Sequence, residues 1–186
     1  MINFEKMQAT KRIKEEYFKF MEHPNPNTGI TIGLPDEDNI FKWRIVFAGP
    51  KDSLYKGGIY EMYVDFPDDY PTHPPEVVFR TPIYHLNINP YKSNNPKDEP
   101  LGHVSISTLY WWKPEYTMEE LLINIYCLLY FPNPDSPYGL DRANEFKTNR
   151  QLYEDKIKYF TKKYANPLFC NICKKYEESW DFSYKQ

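Results

Sequence analysis

The feature that most constrains the fold of this chain is a series of four short apolar segments joined by tight turns. The second and third segments, 41–47 and 59–66, alternate apolar and polar residues as half-buried strands do. Turn residues separate them, including Gly49-Pro50 and Gly57-Gly58. Because connections this short join antiparallel neighbours, we expect a four-stranded antiparallel meander over 30–32, 41–47, 59–66 and 76–79.

A helix is predicted before these strands. Apolar residues recur at helical spacing between about 7 and 22, and Pro24 ends the pattern. We expect the apolar face of this helix to contain Met7, Ile13, Tyr17 and Phe20 or Met21.

The chain after about residue 117 is expected to be helical. Thr117 and Glu120 match a capping box, which predicts a helix that Pro132 ends. Another helix is clearest over 149–164. The order of one helix, four strands and then helices predicts an α+β fold with the helices packed on one face and the ends of the sheet. The predicted buried faces are Met118, Leu121, Leu122, Ile125, Leu128 and Leu129 in the first helix, and Tyr153, Ile157, Phe160 and Tyr164 in the second.

Composition and charge exclude several classes of function. The formal net charge of -3 offers no concentrated basic face, so we expect no nucleic-acid partner. No run of roughly 18 apolar residues exists, so we expect no membrane association. The three cysteines, without the apolar core of a signal peptide, favour a reducing compartment. We therefore expect a cytoplasmic or nuclear location, or both.

The cysteines are expected to have no catalytic role. Cys127 falls on the apolar second predicted helix, where it fits as a small buried hydrophobic residue. Cys170 and Cys173 form a single C-x-x-C pair, whereas a structural zinc site needs four ligands. A redox pair would open a helix in a βαβ unit, and that context is absent. We therefore predict no metal site and no cofactor.

One domain is expected over 1–167, since a chain of 186 residues fits a single core. Polar residues over about 90–101 predict an exposed insertion loop within it. Residues 168–186 are interpreted as a C-terminal extension.

The His85-Leu86-Asn87 tripeptide is followed by Gly102-His103-Val104-Ser105-Ile106. This arrangement resembles the active-site motif of the ubiquitin-conjugating enzyme family, which is His-Pro-Asn and then Gly-x-(Ile/Val)-Cys. It is one of five segments that resemble this family, in the same order, over about 7–164. The central proline is replaced by leucine, and the loop between the two parts is longer than the family's shortest version. The other four segments are Trp43 to Pro50, Leu54 to Gly58, Phe66 to Pro75 and Pro132 to Pro137.

The resemblance implies an enzyme that takes ubiquitin from the ubiquitin-activating enzyme as a thioester. With a ubiquitin ligase, such an enzyme passes ubiquitin to substrate lysines. Position 105 corresponds to the family's thioester-forming cysteine, but this chain has serine there. A hydroxyl is a weaker nucleophile and a poorer leaving group than a thiol. We therefore expect the chain as written to be inactive or to trap an oxyester; the alternative is a non-catalytic variant that binds ubiquitin or partner proteins.

Three interpretations of Ser105 are open. It replaces a native cysteine as an engineered trap, it is natural in a catalytically dead variant, or it is an ordinary loop serine in a shifted alignment. The first is favoured because Asn87, Asp135, Ser136 and the C-terminal helices are kept. No His–Asp pair flanks Ser105, and we expect His103 to point away from it, which disfavours a serine hydrolase.

The resemblance also assigns roles to other residues. Asn87 is expected to stabilise the oxyanion or to hold the neighbouring loop. Asp135 and Ser136 fall at the gate where the family places a carboxylate or hydroxyl beside the incoming lysine, and His85 is expected to be a buried structural residue. The surfaces for ubiquitin, the activating enzyme and the ligase correspond to Lys11, Arg12, Lys14, Pro71, Thr72, Pro74, Trp112 and Pro114.

Overall fold

The computed structural model describes residues 4–95 and 97–166. The predicted extension at 168–186, including Cys170 and Cys173, lies outside the described residues. The domain boundary at 167 therefore stays a prediction. Within the described ranges, no helix is long and apolar enough to cross a membrane.

The predicted order of helix, four strands and helices is confirmed. A short helix that the sequence did not predict, α2, follows Ser105, and its first turn has no side-chain cap. The elements are α1 (Phe4–Glu22), β1 (Thr31–Gly33), β2 (Lys42–Ala48), β3 (Ile59–Asp65), β4 (Glu76–Phe79), α2 (Ser107–Tyr110), α3 (Met118–Leu128), α4 (Leu140–Thr148) and α5 (Arg150–Tyr164).

The sheet is an antiparallel meander in the order β1-β2-β3-β4, as the short connections predict. In β2 every second residue is buried, namely Trp43, Ile45 and Phe47. Trp43 pairs with Val64 of β3, which places both side chains on the core face. The alternation arises because successive side chains of a strand point to opposite faces.

The helices cover the core face and one end of the sheet. Tyr126 of α3 packs edge-on against Phe47 of β2, with ring centroids 6.0 Å apart. At the C-terminal end of α5, the Ala165 carbonyl accepts from the amide of Ile59, with an N···O distance of 2.7 Å. The start of α3 is set by the predicted capping box of Thr117 and Glu120, which is confirmed.

The predicted buried face of α3 is confirmed, whereas that of α1 is partly wrong. Met7 and Met21 of α1 are exposed, while the buried residues are Ala9, Ile13 and Phe20. Cys127 of α3 is also exposed, contrary to its predicted burial. It lies two residues past the buried Ile125, which is about 200° around a helix, so it faces away from the core.

Residues 81–89, which we call the floor segment, are all buried although they form neither helix nor strand. Buried backbone groups need hydrogen-bond partners, and tyrosines supply two of them. The Tyr55 hydroxyl donates to the Tyr84 carbonyl over 2.8 Å. The Tyr153 hydroxyl accepts from the Leu86 amide over 3.2 Å. Buried tyrosines thus hold this irregular segment in place under the site described next.

Candidate functional site

Ser105 lies on an extended segment that runs beside the floor segment. Its amide donates to the Asn87 carbonyl over 2.9 Å, and the preceding Val104 forms a bridge with Ile88. Val104 is fully buried, so the half-buried Ser105 side chain points outward. Among the described residues, the Ser105 hydroxyl makes no hydrogen bond. It is therefore free to engage an incoming group.

Two open cavities meet at Ser105. The first, of about 690 Å³, lies between α2 and the C-terminal half of α3 and includes Cys127 and Phe131 in its wall. The second, of about 420 Å³, lies on the other side and includes His103 in its wall. Ser105 and Ser136 line both cavities. A chain terminus that reaches Ser105 through one cavity would leave the other open to a second reactant.

Asn87 holds the loop that carries the predicted gate residues. Its side-chain Nδ2 donates to the carbonyls of Asn133 and Ser136, each over 2.8 Å, and its Oδ1 accepts from the Asn133 amide. Asn87 is 1% exposed. Both amide hydrogens are therefore used by residues 132–139, which we call the gate loop. This geometry matches the predicted loop-holding role, and oxyanion stabilisation would require one of these bonds to break.

The two predicted gate residues differ in position. Ser136 lines both cavities beside Ser105, whereas Asp135 lines neither. The Asp135 side chain is 88% exposed, and its Oδ1 lies 3.8 Å from the Lys147 Nζ. Of the two residues, Ser136 is the one that lines the space in front of Ser105.

His85 is fully buried and structural, as predicted. Its Nε2 bonds to the Leu128 carbonyl over 3.1 Å, and its Nδ1 accepts from the Asn87 amide over 3.0 Å. Burial lowers the pKa of His85 to about 4. The ring is therefore neutral at pH 7 and links α3 to the floor segment. Leu86 replaces the family's proline, and its amide donates to the Tyr153 hydroxyl, a bond that proline cannot make.

His103 does not point away from Ser105, contrary to our expectation. Both residues line the second cavity, because alternate residues of an extended segment share a face and only Val104 points inward. The His103 Nδ1 lies 2.8 Å from the Tyr138 hydroxyl, which in turn donates to the Glu99 carboxylate. Burial, and next the bond to Glu99, raises the pKa of Tyr138, so this phenol stays protonated.

The predicted partner-binding residues come from three segments that meet on one side of the molecule. The Trp112 Nε1 donates to the Pro71 carbonyl over 2.8 Å, which joins the two predicted ligase-contacting loops. Arg12 of α1 donates to the Tyr116 carbonyl over 3.1 Å, which joins α1 to the second loop. The remaining predicted residues fall on the same segments: Lys11, Lys14, Thr72 and Pro114 are exposed, and Pro74 is half-buried.

Glu16 organises this surface, although the sequence did not single it out. Its Oε1 accepts from Arg12 and from the Tyr70 hydroxyl, and its Oε2 accepts from the Met118 amide over 2.6 Å. One carboxylate thus connects α1, the loop before Pro71 and the first turn of α3. Only the spacing of four between Arg12 and Glu16 hints at it in the sequence. The contact between Tyr138 and Glu99 likewise has no local signal in the sequence, since the two residues are 39 positions apart.

The described residues contain no group of side chains suited to hold a metal ion. No cluster of three or more His, Cys, Asp or Glu side chains exists within 4–95 and 97–166. The chemistry available at the site is therefore that of the serine hydroxyls, His103 and the hydrogen-bonded gate loop.

Comparison with known proteins gives a consistent result. The family model described as ubiquitin-conjugating enzyme matches residues 12–161. Ubiquitin-conjugating enzyme E2 15 of Schizosaccharomyces pombe is 34% identical over 140 residues, which cover 72% of this chain and 83% of that protein. Ubiquitin-conjugating enzyme E2 13 of Arabidopsis thaliana is 34% identical over 156 residues, which cover 81% of this chain and 92% of that protein.

Proposed function

Because this chain belongs to the ubiquitin-conjugating enzyme family, we propose that it accepts ubiquitin from the ubiquitin-activating enzyme at position 105 and holds it there as an oxyester. The observation that carries the proposal is the placement of Ser105. Its unbonded hydroxyl lies where two cavities meet, beside a gate loop held by Asn87.

The proposed reaction is an acyl transfer between a thioester and a hydroxyl. A bond forms between the Ser105 Oγ and the C-terminal carbonyl carbon of ubiquitin. The carbon–sulfur bond to the activating enzyme breaks, and the departing thiolate receives the hydroxyl proton. A hydroxyl is a weaker nucleophile and a poorer leaving group than a thiol. The oxyester should therefore form slowly, persist, and pass ubiquitin to a lysine more slowly than a thioester would.

The gate loop supports the second half of this reaction. The Asn87 Nδ2 donates to the Ser136 carbonyl over 2.8 Å, and Ser136 lines both cavities. A substrate amine that enters there would meet a polar group beside Ser105. Asp135 acts in this scheme only as an exposed charge at the entrance to the site, since its carboxylate lies near Lys147.

The partner surface supports recognition of the activating enzyme and a ligase on one continuous face. The exposed Lys11 and Lys14 of α1 supply positive charge at one end of this face. The joined loops at Pro71 and Trp112 supply apolar contacts at the other. We propose that a ligase contacts the loops while ubiquitin occupies position 105.

The test incubates the chain with ubiquitin-activating enzyme, ubiquitin and ATP, with serine or cysteine at position 105. Ser105→Cys should form an adduct that a reducing agent cleaves and that free lysine discharges. The Ser105 chain should form an adduct that resists the reducing agent and is cleaved by mild base. Ser107→Cys is the positional control, because Ser107 is exposed in the wall of the first cavity and should not be charged.

The rival function is a non-catalytic module that binds ubiquitin or partner proteins, which the serine at position 105 would suit. That function predicts no adduct on Ser105→Cys, with binding of ubiquitin or of a partner conjugating enzyme intact. To assign the adduct, Cys127→Ala is included in the Ser105→Cys background, because Cys127 lies in the same cavity. Loss of charging with Cys127→Ala would place the acyl group on the wrong residue.

A further inference from the structure

One histidine shares the cavity of the Ser105 hydroxyl. His103 and Ser105 are alternate residues of an extended segment, with the fully buried Val104 between them. Alternate residues of such a segment have Cα atoms about 7 Å apart and point to the same face. Both side chains line the second cavity. An imidazole can span this separation to a hydroxyl directly or through one water molecule.

Hydrogen bonds determine which ring nitrogen of His103 carries the proton. The Tyr138 hydroxyl has one hydrogen and donates it to the Glu99 carboxylate. The Tyr138 oxygen must therefore accept from His103, whose Nδ1 lies 2.8 Å away. With its hydrogen on Nδ1, the neutral ring has an unprotonated Nε2. Within the described residues, this Nε2 makes no hydrogen bond.

The Glu99 end of this hydrogen-bonded chain is itself held in place. The buried Asn89 donates through its Nδ2 to the carbonyls of Glu99 and Pro100, over 2.8 and 3.0 Å. The Tyr138 amide donates to the Leu86 carbonyl over 2.8 Å. Glu99 and Tyr138 are therefore both attached to the floor segment, so the His103 imidazole is oriented before any reactant arrives.

The geometry points to His103 as the general base that takes the proton from the Ser105 hydroxyl, with Tyr138 and Glu99 as positioning residues. This inference rests on the proposed function. As the Ser105 Oγ bonds to the carbonyl carbon of ubiquitin, its proton moves to the His103 Nε2. The carbon–sulfur bond of the activating enzyme's thioester then breaks, and the thiolate takes the proton from the imidazolium. A base oriented by a third group is the arrangement that makes a serine hydroxyl reactive.

The groups around His103 determine its response to pH. Glu99 and Tyr138 lie on its Nδ1 side, Tyr110 lines the same cavity, and Glu76 of the adjacent β4 acts electrostatically on Tyr138. The carboxylates favour the imidazolium that forms during the reaction, as a buried carboxylate does in a serine–histidine pair. Protonation of the His103 Nε2 removes the base.

The decisive experiment compares His103→Gln in two backgrounds, with ubiquitin-activating enzyme, ubiquitin and ATP. With Ser105, we expect oxyester formation to slow by about 100-fold, the size of a lost general base. With Ser105→Cys, whose thiol needs no base, His103→Gln should change the charging rate by less than about threefold. A large loss in both backgrounds would show that the substitution disturbs the site as a whole and would overturn the inference.

A pH profile separates a base from a structural residue. The rate of the Ser105 chain relative to its His103→Gln variant should fall as the pH is lowered, because protonated histidine cannot accept a proton. Taking the ratio removes the pH dependence of the activating enzyme. A ratio that stays constant with pH would contradict proton transfer to His103.

Positioning by Tyr138 is tested with a matched pair of tyrosines. Tyr138→Phe removes the hydroxyl that fixes the Nδ1 proton, so we expect oxyester formation with Ser105 to fall roughly tenfold. Tyr91→Phe is the control, because the Tyr91 hydroxyl donates to Asp141 over 3.1 Å and has no bond to His103. Equal effects of the two substitutions would overturn the positioning role of Tyr138.

The outcomes also separate this inference from the proposed function. If Ser105→Cys is charged and His103→Gln leaves oxyester formation unchanged, only the inference is wrong. If Ser105→Cys is charged but Ser105 forms no ester at any pH, the oxyester of the proposed function is wrong and the inference falls with it, while acceptance of ubiquitin at position 105 by a cysteine stands. If neither background is charged, the proposed function is wrong and the inference falls with it.

Discussion

The floor segment and the rim of the site are both irregular chain, yet they differ in how their polar groups are satisfied. The backbone of 81–89 bonds to side chains that are themselves buried, such as Tyr55 and Tyr153. The gate and insertion loops form the rim, and there Glu99, Asp135 and Ser136 are exposed. A group that loses its partner on the rim can bond to water, whereas one on the floor cannot.

This difference divides two roles: the floor segment positions the site, and the rim supplies polar groups around it. The floor segment places Asn87 and therefore decides where Ser105 and the gate loop lie. The rim supplies Ser136, which lines both cavities, and the Tyr138 and Glu99 side chains, which are hydrogen-bonded in series to His103. We therefore expect substitutions on the floor to change stability and substitutions on the rim to change the reaction.

The largest effect is expected when a floor side chain is shortened. Leu86 is fully buried, so Leu86→Ala should lower the free energy of unfolding by about 2–5 kcal/mol. The matched control is Leu140→Ala at the start of α4, where the leucine is 83% exposed and the change should stay within about 0.5 kcal/mol. Urea denaturation measures both, and similar values for the two variants would contradict the contrast.

Removal of one hydroxyl from the floor should have a smaller effect. Tyr153→Phe leaves the buried amide of Leu86 without its partner, which should cost about 1–3 kcal/mol. On the rim, Tyr91→Phe removes a comparable hydroxyl that bonds to Asp141 and should cost less than about 0.5 kcal/mol. Thermal denaturation of both variants tests the difference. A Tyr91→Phe variant as unstable as Tyr153→Phe would show that the rim is as constrained as the floor.

Acid should weaken the floor through His85. Burial lowers the pKa of His85 to about 4, below the value of about 6.5 for an unfolded chain. Between these values the unfolded chain binds more protons, so stability falls as the pH falls. From pH 7 to pH 5 we expect a loss of about 2 kcal/mol that His85→Gln does not show. Urea denaturation measures the free energy of unfolding at each pH. The same pH dependence in the unsubstituted chain and in His85→Gln would contradict a buried neutral His85.

The smallest effect is expected at Cys127. Because this thiol is exposed in the wall of the first cavity, Cys127→Ala should change stability by less than about 0.5 kcal/mol. With Cys170 and Cys173 replaced by serine, the native protein should react with a thiol reagent as fast as the unfolded protein does. A thiol that reacts only after unfolding would support the burial expected from the sequence.

Local signals in the sequence predicted most of the fold. Thr117 and Glu120 are close enough for their capping box to be recognised directly, and the alternation in β2 matched its burial. The burial of Met7 in α1 and of Cys127 in α3 was predicted wrongly, because both are apolar residues that lie off the buried stripe of their helix. Hydrophobic character alone does not show which side of a helix the core will cover.

The candidate site was predicted where it depends on motifs and missed where it depends on distant contacts. Ser105, Asn87 and Ser136 were named from short motifs, and the structure brings them together. Glu16, Asn89, Glu99 and Tyr138 carry no motif, and their partners come from other parts of the chain. His103 was wrongly expected to point away from Ser105. Alternate residues of an extended segment point to the same face, so both residues line one cavity.

The sequence by itself determined the order of helices and strands and the antiparallel meander, and it predicted that Ser105 corresponds to the family's cysteine. These follow from periodicity, short connections and motifs, all of which act over a few residues. Only the tertiary structure decided that His103 faces the Ser105 cavity and that Tyr138 and Glu99 orient its ring. The Tyr138 contacts join residues 35 and 39 positions apart, so they form only when packing of the core brings the gate loop beside His103 and Glu99.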